Sequence, residues 1–280
     1  MSDTLAFLER LHAKESEAVA RVGEALEAVA RASDALAARL EAGGRWLYAG
    51  AGTSGRLAAL DAAELPPTFG TDPHLVVALL AGGPDAMRRA VEGAEDDEAA
   101  AARDLAAEGL SAKDAVVAVS ASGATPYALG ALRAARAKGA LTVAVSCTKG
   151  APLLALAEHP ILVEAGPEVV AGSTRLSAGT VQKVVLNMLS TSVMRTRGLV
   201  VAGEMAALRP TNAKLRARAI RIVSELASLP PARAEELLHE SGWSVPVALV
   251  SGTLGLPPER ARERLEEARG NVARALARDE

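Results

Sequence analysis

The stretch YAGAGTSGRLAALDAAELPPTFG, residues 48–70, decides the fold. Gly50, Gly52 and Gly55 follow the spacing G-x-G-x-x-G, the tight turn that carries a strand into a helix N-terminus and cradles phosphate oxygens. An apolar run, Trp46 to Ala49, precedes the turn. An alanine-rich helical segment follows it from Arg56 and is expected to end near Leu65, because Pro66 disfavours helical geometry in the residue before it. A dinucleotide reader also needs an acid at the end of the second strand for the ribose hydroxyl. Here the second apolar run, Leu75 to Leu80, ends in Ala81-Gly82-Gly83, and Asp85 comes too late, reading as the cap of the next helix. The loop instead offers Thr53 and Ser54 hydroxyls with backbone N–H groups, which suits one phosphate. No NAD is expected.

Further short apolar runs recur at Ala115 to Val119, Leu141 to Val145 and Ile161 to Val163, alternating with alanine-rich helical segments. Runs that are apolar throughout are those of strands buried on both faces, and strand–helix alternation gives a parallel sheet. The expected fold is α/β: about five parallel strands with helices on both faces, plus a small all-helical C-terminal domain. Residues 3–41 are free of proline and read as a long helix with Val22, Leu26, Val29, Leu36 and Leu40 on one face. A second long helix is expected from Leu176 to Thr196. Beyond Pro210-Thr211-Asn212 the texture changes to short charged helices punctuated by Pro230-Pro231 and Pro257-Pro258. The expected organisation is a helical segment over 1–42, a ligand-binding domain over 43–210 and a helical region over 211–280.

With 280 residues, half of them hydrophobic, the chain can bury a sizeable core. Its 31 basic and 34 acidic residues give a formal charge of −3, so bulk electrostatics offer no case for nucleic acid or an anionic membrane. One cysteine, Cys147, precludes an intrachain disulfide and fits a reducing compartment; it reads as a small apolar filler. The acidic start does not read as a signal peptide. A cytoplasmic protein is expected. His12, His74, His159 and His239 show no ligand spacing and read as structural, so no metal is expected.

A second loop, in VAVSASGATPYALG, places Ser120, Ser122, Gly123 and Thr125 between a strand and a helix. Either loop alone reads equally as a helix cap. Two uncharged, hydroxyl-rich turns at the ends of neighbouring strands point to a phosphate pocket. Glu64 stands in the last helical turn before Pro66, where the dipole opposes negative charge and would raise its pKa, as a general acid needs; a solvated carboxylate is the plainer alternative. The acids Glu92, Glu95, Asp96, Asp97 and Glu98 read as a solvated helix face. Arg175 and Lys183, flanking the start of the second long helix, could meet an anion or pair with acids.

Five blocks, GAGTSGRLAALDAAELPPTFG, AGGPDAMRRAVEGAEDD, SASGATPYALGAL, EVVAGSTRLSAGTVQKVVLNMLST and TNAKLRARA, resemble in order the N-acetylmuramic acid 6-phosphate etherases of the sugar isomerase (SIS) superfamily. The resemblance implies a cofactor-free lyase that cleaves the lactyl ether of a phosphorylated amino sugar, yielding N-acetylglucosamine 6-phosphate and D-lactate. Through the match to DAAELPPTFG, Glu64 is the acid that protonates departing lactate and then activates water. Through the match to VEGAEDD, Glu95 is the base. The resemblance assigns the phosphate to the hydroxyl loops, Gly52, Thr53, Ser54, Gly55, Ser120, Ser122, Gly123 and Thr125; Ser173, Arg175 and Lys183 are further candidate contacts, with Arg175 and Lys183 read equally as meeting the lactyl carboxylate or phosphate and as pairing with acids. It also implies a homodimer and a C-terminal module similar to ubiquitin-associated three-helix domains. The chain departs from the family pattern at Ala124, usually arginine, at Ser177, commonly lysine, at Gly203, commonly asparagine, at Glu204, commonly an apolar residue, and in lacking the usual lead segment. Loss of two cations leaves a non-catalytic sugar-phosphate sensor as the alternative. An aldose–ketose isomerase shares the fold but not the Glu64 block, and a dehydrogenase is more distant.

Overall fold

A computed structural model describes residues 2–277. The chain divides into two compact units: Met1–Ala63 with His74–Ser192, and Glu64–Pro73 with Val193–Glu280.

The first unit is built on five parallel strands, β1 (Trp46–Gly50), β2 (Val76–Leu80), β3 (Ala115–Ser120), β4 (Leu141–Ser146) and β5 (His159–Leu162), in the order β2-β1-β3-β4-β5. The three central strands β1, β3 and β4 are buried throughout, which is why they read as unbroken apolar runs. The edge strands β2 and β5 are only partly covered.

The helices running through this region are α1 (Asp3–Arg21), α2 (Leu26–Glu41), α3 (Gly52–Phe69), α4 (Glu98–Ala107), α5 (Pro126–Lys138), α6 (Pro152–Leu156) and α7 (Ser177–Thr196). On one side of the sheet, α4, α5 and α6 bury Leu105, Leu132 and Leu153 against Leu47, Val116 and Ala144.

Two expectations need correction. The first helix is not continuous: a 3-10 turn over Val22–Ala25 separates α1 from α2. The turn shifts the apolar stripe, so Val29, Leu36 and Leu40 are buried while Leu26 stands 50% exposed. Gly23 has no side chain to hold the α-helical register there.

The helix after the opening loop begins earlier and ends later than expected. α3 starts at Gly52 and continues through Pro66 and Pro67 to Phe69, where the Gly70 N–H donates to the Pro66 carbonyl at 2.9 Å. Proline removes one backbone donor and crowds one carbonyl, but Leu65 and Phe69, four residues apart on one face, are both buried. That packing outweighs the local preference. Glu64 therefore does not lie in a final helical turn, and the dipole argument for it lapses.

In the second unit a hairpin of β6 (Val200–Val201) and β7 (Glu204–Met205) precedes α8 (Ala213–Leu226), α9 (Pro231–Glu240), α10 (Val245–Leu254), α11 (Pro258–Glu267) and α12 (Val272–Leu276). Asn212 caps α8 by accepting from the Leu215 N–H at 2.9 Å, and Pro231 and Pro258 open α9 and α11, where a missing N–H costs nothing. Ile222, Leu238, Leu249 and Val272 meet in its core. Two family departures have local explanations here. Ala202 and Gly203, with φ of 49° and 82°, form the hairpin turn, which favours glycine. Glu204 is held by the Arg221 guanidinium at 2.9 and 3.1 Å, which keeps its carboxyl below the usual range.

Candidate functional site

From β1 the chain moves outward to β2, then crosses back to β3 on the other side of β1. In such a sheet the loops leaving β1 and β3 diverge and open a crevice at their carboxyl ends. Gly50 and Val119 lie level across the β1–β3 pair, so the two hydroxyl-rich loops start side by side.

The glycines of the first loop divide into two kinds. A Cβ on Gly55 would lie 2.3 Å from Leu80 Cδ1 and 2.6 Å from the Gly50 carbonyl oxygen, so this glycine lets α3 pack onto the strand ends. Gly52 has φ of 52° with open space where its Cβ would be. It turns the backbone and faces the crevice. Thr53 lies beside Gly179 of α7, where an added Cβ would come within 3.4 Å of the threonine methyl. Ser54 is buried and donates to Gln182 Oε1 at 2.9 Å, tying the loop to α7.

The second loop is organised around Ser120. Its Oγ accepts from the Gly123 N–H at 3.0 Å and lies 2.8 Å from Thr125 Oγ1 and 3.4 Å from Ser122 Oγ. Ser122 Oγ accepts from the Ala124 N–H at 3.2 Å. Thr125 occupies the N-cap position of α5 but turns its hydroxyl to Ser120 rather than to the helix amides. The first-turn N–H groups of α5 have no side-chain cap and no intrahelical partner, which makes them receptive to an anion.

Between the loops lies a cleft of about 360 Å³. Gly52, Thr53, Ser54, Ser120, Ser122 and Thr125 line it, together with Ala124. Glu95 and Asp96 enter from a 3-10 turn over Ala94–Asp96, and Thr174 from the segment before α7. The acidic stretch is thus not one helix face: Glu95 and Asp96 sit in the turn, Asp97 caps α4 by accepting from the Ala100 N–H at 2.9 Å, and Glu98 begins that helix. Asp96 and Thr174 carried no motif of their own; only the loop topology places them here.

Other expected contacts do not line this cleft. Gly55 and Gly123 shape the loops from behind. Ser173 is adjacent to Thr174 but absent from the lining, and Arg175 is exposed. Lys183 pairs with Asn187 and lies 3.9 Å from Asp61 Oδ1. Ser177 is buried at the start of α7, with its hydroxyl 3.3 Å from Glu15 Oε1. Glu64 is an exposed side chain of the second unit. A second cleft of about 240 Å³ adjoins the first, sharing Ala51, Gly52, Glu95 and Asp96, and it includes Arg56.

Below the loops Asp61 is buried, accepting from Tyr48 Oη at 2.9 Å and Ser190 Oγ at 3.1 Å. Burial raises its pKa despite these bonds and the nearby Lys183. Burial likewise pushes the Cys147 thiol up to about 12, in keeping with an inert filler. Among the described residues no group of three or more His, Cys, Asp or Glu side chains is arranged to hold a metal ion.

The fold resembles a phosphoheptose isomerase from Francisella tularensis, with a TM-score of 0.56 at 21% identity over 70% of this chain and all of that one. It also resembles a protein of E. coli CFT073, with a TM-score of 0.55 at 18% identity over 72% of this chain and 97% of the other. The family model for the SIS domain matches residues 94–192, and that for the glucokinase regulatory protein N-terminal SIS domain matches 28–136. The sheet order and the hydroxyl cleft define a protein of the SIS class. Within it, the chain is 48% identical over 248 residues to the N-acetylmuramic acid 6-phosphate etherase of Streptomyces avermitilis, covering 89% of this chain and 80% of that one. It is 52% identical over 212 residues to that of Deinococcus radiodurans, covering 76% and 70%. This chain belongs to the N-acetylmuramic acid 6-phosphate etherase family.

Proposed function

We infer that this chain is a carbon–oxygen lyase that cleaves the D-lactyl ether of N-acetylmuramic acid 6-phosphate, giving N-acetylglucosamine 6-phosphate and D-lactate. The observation that carries this reading is the meeting of Glu95 with the two uncharged hydroxyl loops in one cleft, in a chain about half identical to etherases. The loops and the N-terminus of α5 receive the phosphate. The open-chain aldehyde acidifies the proton on carbon 2, and Glu95 removes it. The electron pair forms the carbon 2–carbon 3 double bond as lactate leaves carbon 3, protonated by Glu64. Water then adds to carbon 3, giving up a proton to Glu64, and carbon 2 is reprotonated. Atoms balance with no redox step, and the route calls on no metal or organic cofactor.

The phosphate-binding role falls to the region 43–210, with 1–42 packed on it as a helical segment and 211–280 a helical C-terminal region including the ubiquitin-associated-like module. No described helix is long and apolar enough to cross a membrane, and the charge balance supports a cytoplasmic enzyme with neither nucleic acid nor membrane as partner. We further propose a homodimer. Leu5 and Leu8, one turn apart on α1 and 45% and 51% exposed, support a surface available for self-association.

The test is release of D-lactate from N-acetylmuramic acid 6-phosphate by the purified protein, alongside Glu64→Gln and Glu95→Gln. Each substitution should lower turnover about 10²–10⁴-fold, the range of a lost general acid or base. Saturable sugar-phosphate binding without lactate would replace the lyase by the sensor.

A further inference from the structure

Arg56 lines the cleft beside the phosphate loops, and the chemistry proposed above makes no use of it. On the second turn of α3, it donates Nε–H to the Ala86 carbonyl at 2.8 Å and an Nη2–H to the Arg89 carbonyl at 3.4 Å. Two backbone anchors fix the plane of the guanidinium. Its Nη1 has no hydrogen-bond partner and the group forms no ion pair among the described residues. Among the described residues lining the two adjoining clefts, Arg56 is the one cation.

The two clefts meet at Glu95, and the substrate branches at the carbon next to the one that Glu95 would deprotonate. Ser120, Ser122 and Thr125 line only the first cleft, Gly52, Glu95 and Asp96 line both, and Arg56 lines only the second. In the substrate the phosphate hangs on carbon 6, and the lactyl group branches from carbon 3, the neighbour of carbon 2, whose proton is acidic. A sugar with its phosphate in the hydroxyl cleft and carbon 2 at Glu95 sets the lactyl branch, one carbon from carbon 2, within reach of the second cleft, which Glu95 also lines. Ala81, Ala86, Ala90 and Val91 give that cleft an apolar part, which suits the lactyl methyl. Glu92, Glu95 and Asp96 also line it, so a carboxylate entering there needs a fixed counter-charge.

We propose that Arg56 is the residue that recognises the lactyl carboxylate and so distinguishes the ether substrate from the product sugar. The assignment rests on the lyase reading for the identity of the ligand. Arginine suits the role because its planar fork can hold backbone carbonyls with some donors while offering the rest to a carboxylate.

The test measures binding of N-acetylmuramic acid 6-phosphate and N-acetylglucosamine 6-phosphate to the full chain by calorimetry. A Glu95→Gln background prevents turnover, and each ligand is measured with and without Arg56→Met. Affinity for the lactyl sugar should fall about 10- to 100-fold, the loss of one charge-assisted hydrogen bond, while affinity for the lactate-free sugar stays within about twofold. Arg56→Lys, which keeps the charge, should recover part of the loss. An equal fall for both sugars would make Arg56 a strut for the Ala86–Arg89 segment and overturn the proposal, as would no change for either. Lactate release by the unsubstituted protein is scored separately. Without it the lyase reading falls, while a selective loss of lactyl-sugar binding would still support a carboxylate contact at Arg56.

Discussion

At the scale of single residues, Gly123 sets the shape of the hydroxyl loop after β3, the proposed phosphate cup. Its φ is 62°, and a Cβ there would lie 2.5 Å from Ala151 Cβ and 2.6 Å from Ser146 Oγ. Gly123→Ala should therefore destabilise the protein by about 1–3 kcal/mol, through backbone strain and overpacking together. The midpoint of urea unfolding measures this, and an unchanged midpoint would mean that the loop relaxes freely. The hydroxyls of this loop were legible in the sequence because two uncharged, hydroxyl-rich turns follow neighbouring strands; either turn alone reads equally as a helix cap. The division of labour among the glycines was not: Gly52, Gly55 and Gly123 belong to the same two motifs, yet only Gly52 faces the cleft. Close backbone approach from a distant strand or helix leaves no trace in local spacing.

At the scale of elements, Asp61 fastens α3 to β1 through Tyr48 and to α7 through Ser190. Its pKa is raised in the folded protein, chiefly by burial. A carboxyl with a raised folded pKa binds its proton more tightly when folded, so its contribution is fully present below the ordinary value near 3.8 and is lost as pH rises through the raised value. Asp61→Asn keeps partners for both hydroxyls and removes the buried charge. The melting temperature of this variant, relative to the native protein, should rise as pH goes from 4 toward 7. A constant difference across that range would show that folding does not raise the Asp61 pKa. Strand positions were legible because the buried β1, β3 and β4 tolerate nothing but apolar or small residues. The ends of α3 were not, because the burial of Leu65 and Phe69 overrides a local proline rule that the sequence displays openly. The break at Val22–Ala25 escaped for a related reason: a 3-10 turn changes the helical phase without any proline to announce it.

At the scale of the whole molecule, a ligand that binds only the folded state stabilises it by mass action, about 2.7 kcal/mol at a hundred times its dissociation constant. N-acetylglucosamine 6-phosphate should accordingly raise the melting temperature, and Ser122→Asp, which sets a negative charge in the cup, should abolish the rise. An undiminished rise in that variant would move the phosphate elsewhere. Light scattering should return twice the mass of one chain if the exposed face of α1 is a subunit contact; a monomer would refute the dimer. The central claim is an elimination followed by hydration, with a proton taken from carbon 2, and the reaction run in D₂O tests it most directly. The mechanism requires D-lactate together with N-acetylglucosamine 6-phosphate one mass unit heavier, the deuterium on carbon 2 after exchangeable protons are washed out. D-lactate released beside a sugar with no deuterium on carbon 2, or no lactate at all, would contradict it.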